Sequence, residues 1–157
     1  MPRLTGKFVT SIAVVATLVG INLLSFSSPA SSQSKASWCW CTDYVANKFN
    51  LKNFPAANRW NDGFLQKNGF TQTQSPKSGD IVVMEAGFPW ADTTYGHVAL
   101  FESLNSKGFV SVRGANNGGK IASTDAKCNN VTSLLYNGKG AEVSKNNSKI
   151  SFWTNRR

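Results

Sequence analysis

The sequence predicts an α+β domain in which N-terminal helices pack on a small antiparallel sheet. Helix-period apolar positions gather between residues 41 and 69, and strand-like runs follow at 80–84, 97–104, 109–113 and 150–153. Helical segments first and strands afterwards is the order of that class.

Taken in order, residues 1–30 read as a signal peptide. Arg3 and Lys7 precede a mostly apolar run over 8–24, and Ser28 and Ala30 supply small residues at the −3 and −1 positions of a cut after Ala30. A secreted or periplasmic protein is therefore expected. An uncleaved anchor is the alternative, because the run matches the shortest membrane spans of roughly 17 residues, although Thr10, Ser11 and Asn22 weaken it. Ser37-Trp38 ahead of Cys39 does not resemble a lipoprotein acceptor site. Residues 31–37 are Ser-rich without apolar pattern, a flexible lead-in to one domain over 38–157.

Removing thirty of 157 residues leaves 127, enough for one core and too few for a second domain. Arg3 and Lys7 leave with the leader, so basic residues fall from 17 to 15 against 8 acidic ones, a balance of +7. An exported basic chain suits an anionic partner such as a wall polymer, although nucleic acids and lipid headgroups share that charge and a solvated basic surface is the plainer account. The lysines between 107 and 149 are scattered, which argues against a nucleic-acid-binding arm.

The first helix is expected over 41–51, with Cys41, Tyr44, Val45 and Phe49 on one buried face and Asp43 in the first turn, where a carboxylate complements the helix dipole. Asn53-Phe54-Pro55 opens a second helix that buries Ala56, Ala57, Trp60 and Phe64 and stops at Gly69, with Gly63 its weak point. Trp60 is read as core. Residues 71–78 are polar and contain Pro76, a loop before the strand at 80–84. The stretch 85–95 carries Phe88, Pro89, Trp90 and Tyr95. It is either a wall of a cleft or an aromatic flap folded into the core.

His97 opens a run that is apolar on both faces, a central strand, and Asn105-Ser106-Lys107-Gly108 turns it into the returning strand at 109–113. If Leu104 pairs with Phe109, the partner of His97 is Asn116, with Cβ atoms roughly 4.5–5.5 Å apart, close enough for the carboxamide to orient the imidazole. Asn116-Asn117-Gly118-Gly119 then makes a turn. Beyond Cys128 only 131–136 and 150–153 look ordered, the latter as a late strand on the sheet.

The chemistry-bearing residues lie at element boundaries. Cys41 sits at a helix start, where backbone N–H groups and the dipole favour a thiolate, and such a nucleophile needs a base. The chain has one histidine, His97, so the choice of imidazole is made.

Three stretches, Cys41-Thr42-Asp43-Tyr44-Val45-Ala46, Pro76-Lys77-Ser78-Gly79-Asp80-Ile81-Val82-Val83 and Tyr95-Gly96-His97-Val98-Ala99-Leu100-Phe101-Glu102, resemble in order and spacing the CHAP domain family, the cysteine- and histidine-dependent amidohydrolases/peptidases of bacterial cell-wall metabolism. The resemblance covers residues 37 to 117 well. It implies a papain-like fold and the triad Cys41, His97 and Asn116, an Asn-completed version of the thiol-protease arrangement. Two positions depart from the family pattern. Gly114 stands where many members have the Glu of a Glu-x-Asn sequence, and Trp40 stands where many have Gln, which removes one side-chain donor to an oxyanion and leaves the backbone N–H of Cys41.

Three cysteines in an exported chain leave one over. A Cys39–Cys128 disulfide would fasten the C-terminal region to the start of the first helix and free Cys41, and the plain alternative is three small buried residues. Cys39, Cys41, His97 and Cys128 could also make a zinc set, a weak signal without paired short spacings, and Cys-x-Cys redox chemistry lacks the C-x-x-C pattern. Asp80 is read as structural, and no metal or cofactor is expected. The expected activity is a secreted thiol hydrolase cutting amide bonds of peptidoglycan through a thioester acyl-enzyme, as endopeptidase or N-acetylmuramoyl-L-alanine amidase. The expected partner is peptidoglycan or another anionic wall polymer, with no nucleic acid. An inhibitor protein is admitted and the protein is read as a monomer. The rival readings are a non-catalytic wall-binding module and a thiol peptidase or amidase on a non-wall substrate.

Overall fold

The first helix, α1 (Cys41–Phe49), starts where the Asp43 carboxylate accepts the backbone N–H of Trp40 at 3.0 Å. Trp40 is extended, and its carbonyl accepts the N–H of Tyr44 at 3.1 Å, the first bond of the helix. An indole cannot accept in return, so only half of a capping box forms. Asn50 adopts a left-handed conformation, φ 54 and ψ 37, and the Leu51 N–H bonds back to Ala46 O at 2.9 Å, which stops the helix two residues before the expected end. The computed structural model describes residues 38–119, 128–129, 131–143 and 147–156, all within the second of two units, Gln33–Arg157. The expected leader over 1–30 and lead-in over 31–37 lie outside the described residues.

The second helix does not form as one piece. Ala56 is extended, and the chain then makes a 3₁₀ turn (Ala57–Arg59), a wide turn (Trp60–Phe64) and a short helix, α2 (Leu65–Lys67). The break falls at Gly63, whose φ of 98 leaves the helical region. Burial decides the outcome over propensity. Trp60 is fully buried between Phe54 and Phe64 and donates its indole N–H to Pro55 O at 3.1 Å. Burying an indole is worth roughly 4–6 kcal/mol of transfer free energy, more than an interrupted turn costs.

Among the described residues six antiparallel strands follow: β1 (Thr71–Thr73), β2 (Ile81–Met84), β3 (His97–Leu104), β4 (Val110–Gly114), β5 (Thr132–Tyr136) and β6 (Ile150–Thr154), in the spatial order β1-β6-β2-β3-β4-β5. β1 lies where the sequence reads as loop. Its three polar residues are held by pairing to β6, not by an apolar pattern. β6 is inserted beside β2, in the interior of the sheet.

Both faces of the sheet are covered. Val98, Leu100, Ile81 and Val83 pack with Val45 and Trp60 on the helical side, while Ala99, Phe101, Val82 and Val112 pack with Phe88 and Tyr136 on the other. This double burial is why β2 and the first half of β3 are apolar without alternation. The aromatic stretch 85–95 divides between its two readings: Phe88 is buried, whereas Trp90 and Tyr95 are exposed.

The β3–β4 register departs from expectation at the turn. Leu104 pairs with Val110, not Phe109, and an irregularity at Glu102 restores Phe101↔Val112 and Leu100↔Arg113, the count that would set His97 opposite Asn116. The Glu102 carboxylate accepts the hydroxyls of Ser111 and Ser133. β4, however, ends at Gly114.

Candidate active site

Cys41 is the first residue of α1 and is half-buried. α1 packs against β3, and the sulfur lies within hydrogen-bonding reach of the backbone N–H of Val98, one residue from the imidazole. Burial pushes the Cys41 thiol up; the N–H groups of Val98 and Thr42 partly offset this, and the Asp43 carboxylate adds to the rise. The resting group is a thiol. Cys41 is also the free cysteine, because Cys39 and Cys128 form a disulfide with Cα atoms 5.2 Å apart. The bond settles the pairing question and takes two of the four ligands from the alternative zinc set. Asn47 donates its Nδ2–H to Cys128 Sγ at 3.9 Å, so the bridge also touches the outer turn of α1.

His97 opens β3 and is buried, 3% exposed. Its Nε2 is 2.9 Å from Oδ1 of Asn117. The carboxamide on the imidazole is thus that of Asn117, one residue later than the register count places it. The reason is local: β4 has already ended, Asn116 takes a left-handed φ of 57, and the chain turns into a 3₁₀ segment (Asn117–Gly119) that swings the next side chain back over the strand end. The adjacent Asn pair was the signal in the sequence; the count selects its first member, and the structure sets the second against the ring.

Asn117 is buried, and its Nδ2 donates to Gly114 O at 3.2 Å and to Thr132 O at 2.6 Å. Two carbonyl acceptors on the nitrogen side leave Oδ1 facing the ring, so Nε2 carries the hydrogen and Nδ1 holds the lone pair. Burial pulls the imidazole down to about 4, partly offset by the bond to Asn117. At neutral pH Cys41 is therefore a thiol and His97 a neutral imidazole.

Gly114 acquires a physical reason. A Cβ there would sit 3.1 Å from the Ala99 Cβ and 3.3 Å from Asn117 Oδ1, so the missing side chain makes room for the carboxamide on the imidazole. Tyr136 is a residue that the sequence reading did not single out. Its ring stacks on His97 at 6.0 Å and 29°, its oxygen accepts the Gly118 N–H at 3.0 Å, and burial raises the phenol to about 12. The ring screens the imidazole from water.

A thiol at a helix start, a neutral imidazole and an orienting carboxamide on an α+β scaffold are the parts of a nucleophilic acyl-transfer site. The chain belongs to the CHAP domain family, whose model matches residues 31–116, more than half its length. It is similar to an N-acetylmuramoyl-L-alanine amidase domain-containing protein of Staphylococcus aureus, at 36% identity over 84 residues, 48% of this chain and 13% of that protein. Among solved structures it resembles the crystal structure of an N-acetylmuramoyl-L-alanine amidase from Staphylococcus aureus, with a TM-score of 0.51 and 27% identity over 74% of this chain and 30% of that one. The chain spans less than a third of either relative.

Proposed function

We propose that the protein is an exported cysteine-dependent hydrolase that cuts amide bonds of peptidoglycan. The observation that carries the reading is the His97–Asn117 bond at the head of β3, with Cys41 against the N–H of the neighbouring Val98; Asn117 fixes the tautomer that leaves Nδ1 as base. As Cys41 Sγ attacks the carbonyl carbon, His97 takes the thiol proton, and the oxyanion is held by the Cys41 N–H at the start of α1. The imidazolium then passes that proton to the departing amine, the C–N bond breaks, and a thioester remains. Water, deprotonated by His97, releases the acid and restores the thiol.

The family and its amidase relatives support a wall substrate, and the +7 balance of the chain without residues 1–30 suits an anionic polymer. Export rests on the leader pattern; N-terminal sequencing of protein recovered from culture medium should begin at Ser31. Incubation of purified sacculi with the protein should release soluble muropeptides, and mass spectrometry of them should place the new amine and carboxyl ends. Cys41→Ala should abolish release while Cys39→Ala retains it. Equal loss in both would favour the zinc or redox reading, and sacculus binding without product at any pH would replace hydrolysis with a non-catalytic wall-binding module.

A further inference from the structure

A hydrogen bond at one nitrogen fixes one edge of an imidazole and leaves the ring free to rock about that bond. In this protein Asn117 Oδ1 holds the Nε2 edge of His97 at 2.9 Å. The direction of Nδ1, the atom that takes the thiol proton in the proposed mechanism, therefore depends on what lies against the face of the ring. That face is stacked on Tyr136, whose ring lies 6.0 Å away at 29°. Tyr136 is the last residue of β5, and β4 separates β5 from β3, so the side chain reaches across the intervening strand to meet the imidazole.

The tyrosine has little room to give way. It is fully buried, its ring packs against Phe88 at 6.2 Å and Trp90 at 6.3 Å, and its partner across the ladder is Val110. Its oxygen makes a second contact, accepting the N–H of Gly118 at 3.0 Å. Gly118 follows Asn117 in the 3₁₀ segment, has a φ of 65, and a Cβ on it would come within 2.9 Å of Leu134 Cδ2, so the turn is packed closely on β5. One side chain thus grips both members of the pair: the imidazole by its face, and the carboxamide through the turn that carries it. Burial pushes the phenol up to about 12, so the hydroxyl stays neutral well into the alkaline range. Among the charged groups on the elements about His97, Asp43 accepts the Trp40 N–H, Glu85 accepts from Asn61, Lys48 sits in the last turn of α1, Arg59 is exposed and paired with Asp62, and Arg113 is exposed. Cys41 and Tyr136 are the titratable groups left beside the ring.

We infer that Tyr136 is a positioning residue for the base: its ring sets the plane of His97 and keeps water from it, and its oxygen anchors the turn that presents Asn117. The inference takes its reaction from the proposed hydrolysis and its geometry from the Tyr136 contacts alone. His97 is the one histidine of the chain, so nitrogen NMR of the imidazole reads it without ambiguity. In the unaltered chain the two ring nitrogens should resonate far apart, as a single Nε2–H tautomer, and titrate at about 4. Tyr136→Phe keeps the ring and removes the oxygen. The two nitrogen shifts should converge as the second tautomer is populated, and kcat on muropeptides should fall about tenfold with KM within about twofold. The acid limb of the Phe variant should stay where it is. Tyr136→Leu removes the ring as well, and its acid limb should move up by about one pH unit or more as water reaches the imidazole. A residue that served stability alone would lower the thermal midpoint of both variants with tautomer, kcat and acid limb in place, and that result overturns the inference. Where Tyr136→Leu does not fold, Tyr136→Phe decides alone: unchanged nitrogen shifts with unchanged kcat overturn it. If the unaltered chain releases no muropeptides, the hydrolase reading falls, while converging shifts in Tyr136→Phe still uphold the grip on the His97–Asn117 pair.

Discussion

The Asn117 carboxamide lies 2.9 Å from His97 Nε2 and is itself held by the carbonyls of Gly114 and Thr132. It joins the ends of β4 and β5 to the imidazole, the base of the proposed mechanism. Asn117→Ala should lower kcat on muropeptides by roughly a hundredfold or more, since the tautomer is no longer fixed, and Asn116→Gly by far less. The same Asn117→Ala change strands two carbonyls and should cost about 1–3 kcal/mol in urea denaturation. A larger kcat loss in Asn116→Gly would return the role to the residue that the register count selects.

The pH dependence follows from the buried imidazole. His97 must be neutral to accept the proton, and its pKa is about 4, so kcat/KM should hold down to about pH 5 and fall with one proton near 4. A midpoint at 6–7 would mean a solvated ring. Stability carries the same signature. The unfolded chain titrates His near 6.5 and the folded chain near 4, so the unfolded state binds more protons between them. The contribution is complete above pH 6.5 and lost as pH falls through 4, on the order of 3 kcal/mol, and His97→Gln should abolish it in melts followed across that window.

The Cys39–Cys128 bond closes a separation of 89 residues. In the chain-entropy account, removing it should cost about 4–5 kcal/mol, lowering the thermal midpoint by on the order of 10 °C or more. Dithiothreitol and the Cys39→Ala/Cys128→Ala double variant should produce the same shift, while iodoacetamide on the unreduced protein should block activity by alkylating Cys41. An unchanged midpoint in reductant would show that the bridge is absent in solution.

Gly114 and Asn117 should behave as a pair. Gly114→Glu alone pushes into Ala99 and the Asn117 carboxamide and should abolish activity. Adding Asn117→Gly clears the space and lets a carboxylate reach the imidazole, so the double variant should regain activity over the single. Its acidic limb should move up, because a carboxylate favours imidazolium. If the double variant is no better than Gly114→Glu, the two positions do not compete for one space.

The sequence alone determined the α+β class, α1 with Cys41 at its start, the full extent of β3 with His97 at its head, and the membership that those motifs imply. These are local patterns, a helix period and an unbroken apolar run bounded by turn residues, and a side chain at the first position of either element needs no distant contact to be placed. Tertiary structure decided the rest. β1 exists because β6 pairs with it, Gly63 breaks the second helix because Trp60 is worth more buried, and the residue on the imidazole is Asn117 because β4 ends at Gly114 and the chain turns. A register count extends a strand indefinitely. Where the strand stops depends on which carbonyls at its end find donors, and those carbonyls, on Gly114 and Thr132, are neighbours only once β4 and β5 have paired.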